Sequence, residues 1–175
     1  MNTVQTAQVI IDNLGFDFSQ FTMQEFIEWV ERIKGRRIFL FSIPMPSSTD
    51  GAWISDAERP NEYVFYDVNL SPILQVHTQL HEIGHILWGH ETLRITGANL
   101  TQLIKAVQRQ ALSPGTSELL MRALDGQQGE EEAQAEAVAH IIQSQVIRAS
   151  RMAALSLTVS NNNEVDRFLL DMGVS

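Results

Sequence analysis

"HEIGHILWGH" occupies residues 81–90 and places two histidines and a glutamate inside an apolar run. Leu80, Ile83, Ile86 and Leu87 recur around them at helical spacing. Upstream, Ser71 is a good N-cap residue, and Pro72 takes the first helical position, where a missing N–H costs nothing. The pattern predicts a helix over about 73–90. On it, His81 and His85 lie one turn apart on one face, so their rings can converge on a single ion. Glu82 follows the first histidine, the place of the general base in H-E-x-x-H metal sites. In a chain of this composition the five-residue pattern arises by chance roughly once in a hundred sequences. The competing reading is a plain core helix with hydrogen-bonded histidines, which would bury three ionisable side chains without return.

The sequence around this helix divides into three parts. N-terminal to it, Val4, Ala7, Ile10 and Ile11 suggest a short helix ending at Gly15. Thr22 to Glu25 form a capping box ahead of a second helix, with Phe26, Val30 and Ile33 on one face and Gly35 as its stop. Three apolar runs follow, at 38–41, 52–54 and 63–68, separated by turn clusters at 47–51 and 56–61. They predict a small, three-stranded antiparallel sheet. Beyond residue 90, helical patterns cover 97–112, 117–124 and a long run from about 130 toward 154. Asn161 to Asn163 suggest a polar break before a last short helix. Helices, then a small sheet, then helices make an α+β chain rather than alternating βαβ units. The division expected is one domain over 1–155, with its core at 37–142, and a helical tail over 156–175.

Composition narrows the function. The chain has 175 residues, no cysteine, a net charge of −9 and a pI near 4.9. Cysteine-ligated zinc, disulfides and thiol nucleophiles are thereby excluded. The acidic balance argues against nucleic acid as a direct ligand. The N-terminus has no basic region of the secretory kind, and no apolar run reaches the roughly 18 residues of a membrane span. A soluble, cytoplasmic, globular domain is expected.

A catalytic zinc takes three protein ligands and an open position. A third histidine six residues after His85 would need Gly at 88 and His at 91, but Trp88 and Glu91 stand there. His90 lies nine residues after His81, about 180° around the helix, and reads as a C-terminal residue near the negative end of the helix dipole. The remaining source is the later helix, where Glu132 and Glu136 share one face. Such a pair can supply a ligand (Glu132) and an acceptor for a ligand histidine's N–H (Glu136). Acidic residues in a first turn also simply favour the helix dipole, so spacing leaves the role open. Ala133, Ala135, Ala137 and Ala139 would let this helix approach the histidine helix closely.

Together these two blocks resemble the ImmA/IrrE family of zinc metallopeptidases. Residues 78–90 read TQLHEIGHILWGH, where the family has T-L-A-H-E-L-G-H-x-L-x-x-H, and the family's E-x-E-A-[ND]-x-F-A corresponds to Glu132 through Ala139. The resemblance covers about 37–142. It implies a zincin-like fold, Zn2+ held by His81, His85 and Glu132, and Glu82 as catalytic base. Gln134, Glu136 and Val138 depart from the pattern and leave Glu136 as an alternative ligand. His140, one turn after Glu136, could reach the site; His77, one turn before His81, is a substrate-side or bridging candidate. Tyr63 or Tyr66 is a candidate donor to a developing oxyanion. The resemblance further implies cleavage of a helix-turn-helix repressor or antitoxin. The alternative from another class is a catalytically silent zinc-binding or repressor-binding module of the same fold.

Overall fold

Tyr63, Val64 and Phe65 are buried in succession, so the strand that carries them must have side chains packed on both faces. In the computed structural model this strand is central. The structure describes residues 2–46, 49–125 and 129–171, with side chains described up to residue 152. The elements are α1 (Thr3–Leu14), a short 3-10 turn (Phe18–Gln20), α2 (Met23–Lys34), β1 (Arg37–Ile43), β2 (Gly51–Asp56), β3 (Asn61–Asp67), α3 (Pro72–Trp88), β4 (Arg94–Ile95), α4 (Gly97–Arg109), α5 (Pro114–Asp125) and α6 (Gly129–Asp171). The chain is α+β, as its patterning predicts.

The sheet corrects the sequence reading. It has four strands in the order β1-β3-β2-β4, and it is mixed. β2 and β3 form the antiparallel pair, Trp53 opposite Val64, whereas β1 runs parallel to β3 with Phe39 beside Tyr63. Pro44 and Pro46 follow β1, so no tight hairpin returns the chain onto it. β3 lies between β1 and β2 instead, with Glu62, Tyr63, Val64 and Phe65 buried in succession. β4 pairs only Ser55 with Arg94 and Asp56 with Ile95, too short for any periodic signal. Of the expected turn at 47–51, Ser47 and Ser48 lie outside the described residues.

Each face of the sheet carries its own core. Ile38, Trp53 and Val64 pack with α3 (Leu80, Ile83, Leu87), α6 (Val138, Ile142) and the N-terminal helices (Ile11, Phe26, Val30). Ile43, Ile54, Tyr63 and Phe65 pack on the other face with Leu103 of α4 and Leu119 and Leu120 of α5. Gly15 and Gly35 close α1 and α2 at positive φ, 61° and 65°. The helix α6 runs unbroken through Asn161–Asn163, contrary to the expected break. Asparagine lowers helix propensity by only a fraction of a kcal/mol, and no Gly or Pro interrupts that run. The expected boundary at 155 therefore falls inside one helix; residues 172–175 lie outside the described residues. No helix among the described residues is long and apolar enough to cross a membrane.

Candidate metal centre

His81 and His85, one turn apart on α3, bring their Nε2 atoms to 3.2 Å of each other. Glu132 meets them from α6, with Oε2 3.2 Å from Nε2 of His81 and Oε1 3.2 Å from Nε2 of His85. This meeting depends on Gly84. A Cβ there would stand 2.8 Å from the carbonyl oxygen and 3.1 Å from Cα of Ala135, so the helices touch backbone to backbone. Ala135 and Ala139 are fully buried in this contact, while Ala133 is exposed. His81, His85 and Glu132 form a group that could hold a metal ion. Glu132 Oε1 is buried and accepts no hydrogen bond, which suits a cation better than water.

The outward nitrogens of both rings are also engaged. His81 Nδ1 lies 3.2 Å from Oε2 of Glu136, an acceptor that leaves Nε2 facing the cluster. Glu136 thus stands behind His81, not at the two Nε2 atoms. It is a hub, because His77 Nε2 approaches the same oxygen at 3.1 Å and His140 Nε2 approaches Oε1 at 2.9 Å. His77 also touches Gln143 Oε1, at 3.1 Å from Nδ1. His140 is 67% exposed and stands outside the cluster.

His90 departs from its expected place. The helix α3 ends at Trp88, and Gly89 turns the chain at φ 89°, so His90 is outside the helix and folds back beneath it. Its Nδ1 lies 2.8 Å from Nδ1 of His85, and its Nε2 lies 2.7 Å from Oε1 of Gln134. The 180° separation held only for a helix continuing to residue 90. A glycine directly after the apolar pattern is the cap signal that marks this reversal. Ser71 is the N-cap residue, but its side chain makes no capping hydrogen bond.

Tyr63 belongs to the opposite core, where its hydroxyl donates to Asp56 Oδ2 at 2.8 Å. Strand alternation carries it away from α3, so it is not a donor at this centre. Tyr66 falls on the α3 face by the same alternation, yet makes no hydrogen bond to the cluster among the described residues. Trp53, unmarked by the sequence reading, stacks on His85 with ring centroids 6.1 Å apart at 25°. Its Nε1 donates to the buried Glu62 at 2.6 Å.

Glu82 is 4% exposed, and its Oε2 is buried without a hydrogen-bond partner. Burial pushes its carboxyl up to about 8, against the lowering effect of a charged His81. Room for this side chain comes from Gly51, where a Cβ would collide with Thr78 and stand 2.8 Å from Glu82 Oε1. Burial alone would lower His81, but its hydrogen bond to Glu132 and the charges of Glu82 and Glu132 raise it to about 9. Burial depresses His85. Hydrogen bonding to His81, with His85 alongside, holds Glu132 well below the carboxylate range. A cleft of about 300 Å3 opens over the group, bounded by Thr49, Asp50 and Gly51 on one side and by His77 and Glu136 on the other.

Compared with protein-family models, curated proteins and solved structures, the chain matches none.

Proposed function

We propose that this chain is a zinc-dependent endopeptidase, acting in the cytoplasm on a specific protein. The ImmA/IrrE resemblance supplies the substrate class, a helix-turn-helix repressor or antitoxin. One observation carries the reading: two imidazole Nε2 atoms and a carboxylate converge at 3.2 Å separations beside a buried, unpartnered glutamate oxygen. Ligand atoms about 2.0–2.1 Å from a tetrahedral zinc stand about 3.3 Å apart, so the spacing of the nitrogens fits that ion. The donor set, two histidines and one glutamate, is that of hydrolytic zinc sites with an open position.

When bound, zinc supplies a water of lowered pKa and polarises a carbonyl. The remaining work falls to the chain's own residues. His81 and His85 hold their Nε2 atoms toward each other, and Glu132 closes the group from α6, with His81 and Glu132 lining the cleft. Glu82 Oε2, at the cleft floor, is placed to take a proton and return it to a leaving amine, provided that a bound cation draws the carboxyl down from its metal-free value of about 8. Gly51 keeps the β2 backbone clear of that carboxylate. The acidic surface favours a basic partner of the DNA-binding kind, and the lack of cysteine fits a reducing compartment.

Elemental analysis of the purified chain should give about one zinc, lost in Glu132→Ala. Glu82→Gln should keep the zinc but end cleavage of a co-expressed helix-turn-helix protein. A parent that takes up no zinc when it is supplied removes the enzyme reading. A parent that binds zinc and a repressor but cuts nothing leaves the silent-module reading in its place.

A further inference from the structure

The two histidines of the centre are supported by different chemistry. Behind His81 stands a carboxylate, Glu136; behind His85 stand a second imidazole and an amide, His90 and Gln134. We propose that His90 and Gln134 are positioning residues that fix His85 as its Nδ1–H tautomer, leaving the Nε2 lone pair aimed at the metal position. The inference rests on the metallopeptidase reading for its purpose, but the tautomer itself is a property of the metal-free chain.

The assignment follows from which groups can donate. Gln134 Nε2 faces Glu130 Oε1 at 3.4 Å, and a carboxylate can only accept, so the amide nitrogen belongs on that side. Gln134 Oε1 therefore faces His90 and accepts from its Nε2–H across 2.7 Å. A neutral imidazole with its proton on Nε2 presents a lone pair at Nδ1. His85 Nδ1, 2.8 Å away, must then be the donor, and Nε2 of His85 carries no proton. The reverse arrangement would place a proton on His85 Nε2, facing Glu132 Oε1 at 3.2 Å, and would take from His90 Nε2 the proton that Gln134 Oε1 accepts. Two acceptors facing one another, both buried, are what a cation would bridge.

The arrangement also suits a partner that is not a carboxylate. His85 is fully buried, and a second carboxylate beneath it would add an unpaired charge to the core, whereas His81 and Glu136 reach the cleft. Trp53, stacked on the other side of the ring, holds its plane but has no atom that could select a tautomer.

Side-chain nitrogen NMR of the metal-free protein, with histidine labelled by nitrogen-15, reads the tautomers directly. The expected spectrum shows His85 protonated at Nδ1 and His90 at Nε2. Zinc affinity, measured by competition with a chelator, should fall about 10- to 100-fold in His90→Phe, which keeps a ring but no acceptor. His90→Asn, whose carbonyl can accept from His85, should recover most of that loss. Gln134→Met provides an independent route should the His90 variants fold poorly, and it should weaken zinc in the same direction. A proton on His85 Nε2 in the parent, or unchanged affinity in both His90→Phe and Gln134→Met, overturns the proposal. If the parent takes up no zinc, the metallopeptidase reading fails by itself, and the tautomer spectrum still decides whether His90 and Gln134 set the ring.

Discussion

His81 and Glu82 are adjacent in sequence and titrate in the same direction. Without metal, His81 keeps its proton up to about 9, and burial keeps Glu82 neutral up to about 8. Both folded values lie above the ordinary ones, 6.5 and 4.5. The stability each contributes is therefore complete below its ordinary value and lost as pH rises through the folded one. The metal-free chain should lose stability from about pH 4.5 to pH 8 through Glu82 and from about pH 6.5 to pH 9 through His81, and Glu82→Gln should flatten the Glu82 part of that loss in a melting-temperature series. A melting temperature that rises across these windows contradicts the assignment. Zinc must displace the His81 proton, so binding near pH 7 should release at least one proton and tighten as pH rises. Calorimetry in buffers of different ionisation enthalpy counts that proton, and a count of zero refutes it.

Between elements, the decisive contact is α3 against α6. Gly84 and Ala135 allow backbone-to-backbone approach, and that approach sets where Glu132 arrives. Gly84→Ala should force the helices apart by a few tenths of an ångström, costing about 1–3 kcal/mol and weakening zinc. Urea denaturation and chelator competition measure the two effects. Gly97→Ala is the control, since nothing lies within 4 Å of its Cβ position, and at the first, exposed position of α4 the change should stay within about 0.5 kcal/mol. Equal effects at both glycines would mean that propensity, not the interhelical contact, accounts for Gly84. Lys34 makes a further link, as its Nζ donates to the Leu87 carbonyl at the end of α3, 2.8 Å away. This bond ties the second helix to the element that carries the histidines.

For the whole molecule, the sheet is the divider that keeps the metal centre and the α4/α5 core apart. Glu62 on β3 is buried within the α3 side and pairs with Arg36 from the turn before β1. Trp53 Nε1 and Ser55 Oγ also donate to it, at 2.6 and 2.5 Å. Arg36→Met should leave a buried carboxylate short of its cation and cost about 3 kcal/mol, read by chemical denaturation. The carboxylate links the N-terminal helices, the sheet and, through Trp53, the ring of His85. A variant as stable as the parent would show that Trp53 and Ser55 alone suffice for Glu62.

The motif at 81–85 was legible because a helix places residues four apart on one face whatever surrounds it. The caps at Gly15, Gly35 and Thr22 were legible for the same local reason. The order of the strands was not, because parallel pairing of β1 with β3 joins residues distant along the chain and leaves no local signature. Tyr63 and Tyr66 could be separated only once the strand had faces and a helix lay on one of them. Glu132 and Glu136 have the same spacing and chemistry in the sequence. Only the depth at which α6 lies against Gly84 puts Glu132 at the two Nε2 atoms and Glu136 behind His81. Local periodicity determined which side chains share a helix face, whereas the rigid-body contact of two helices decided which of them meet.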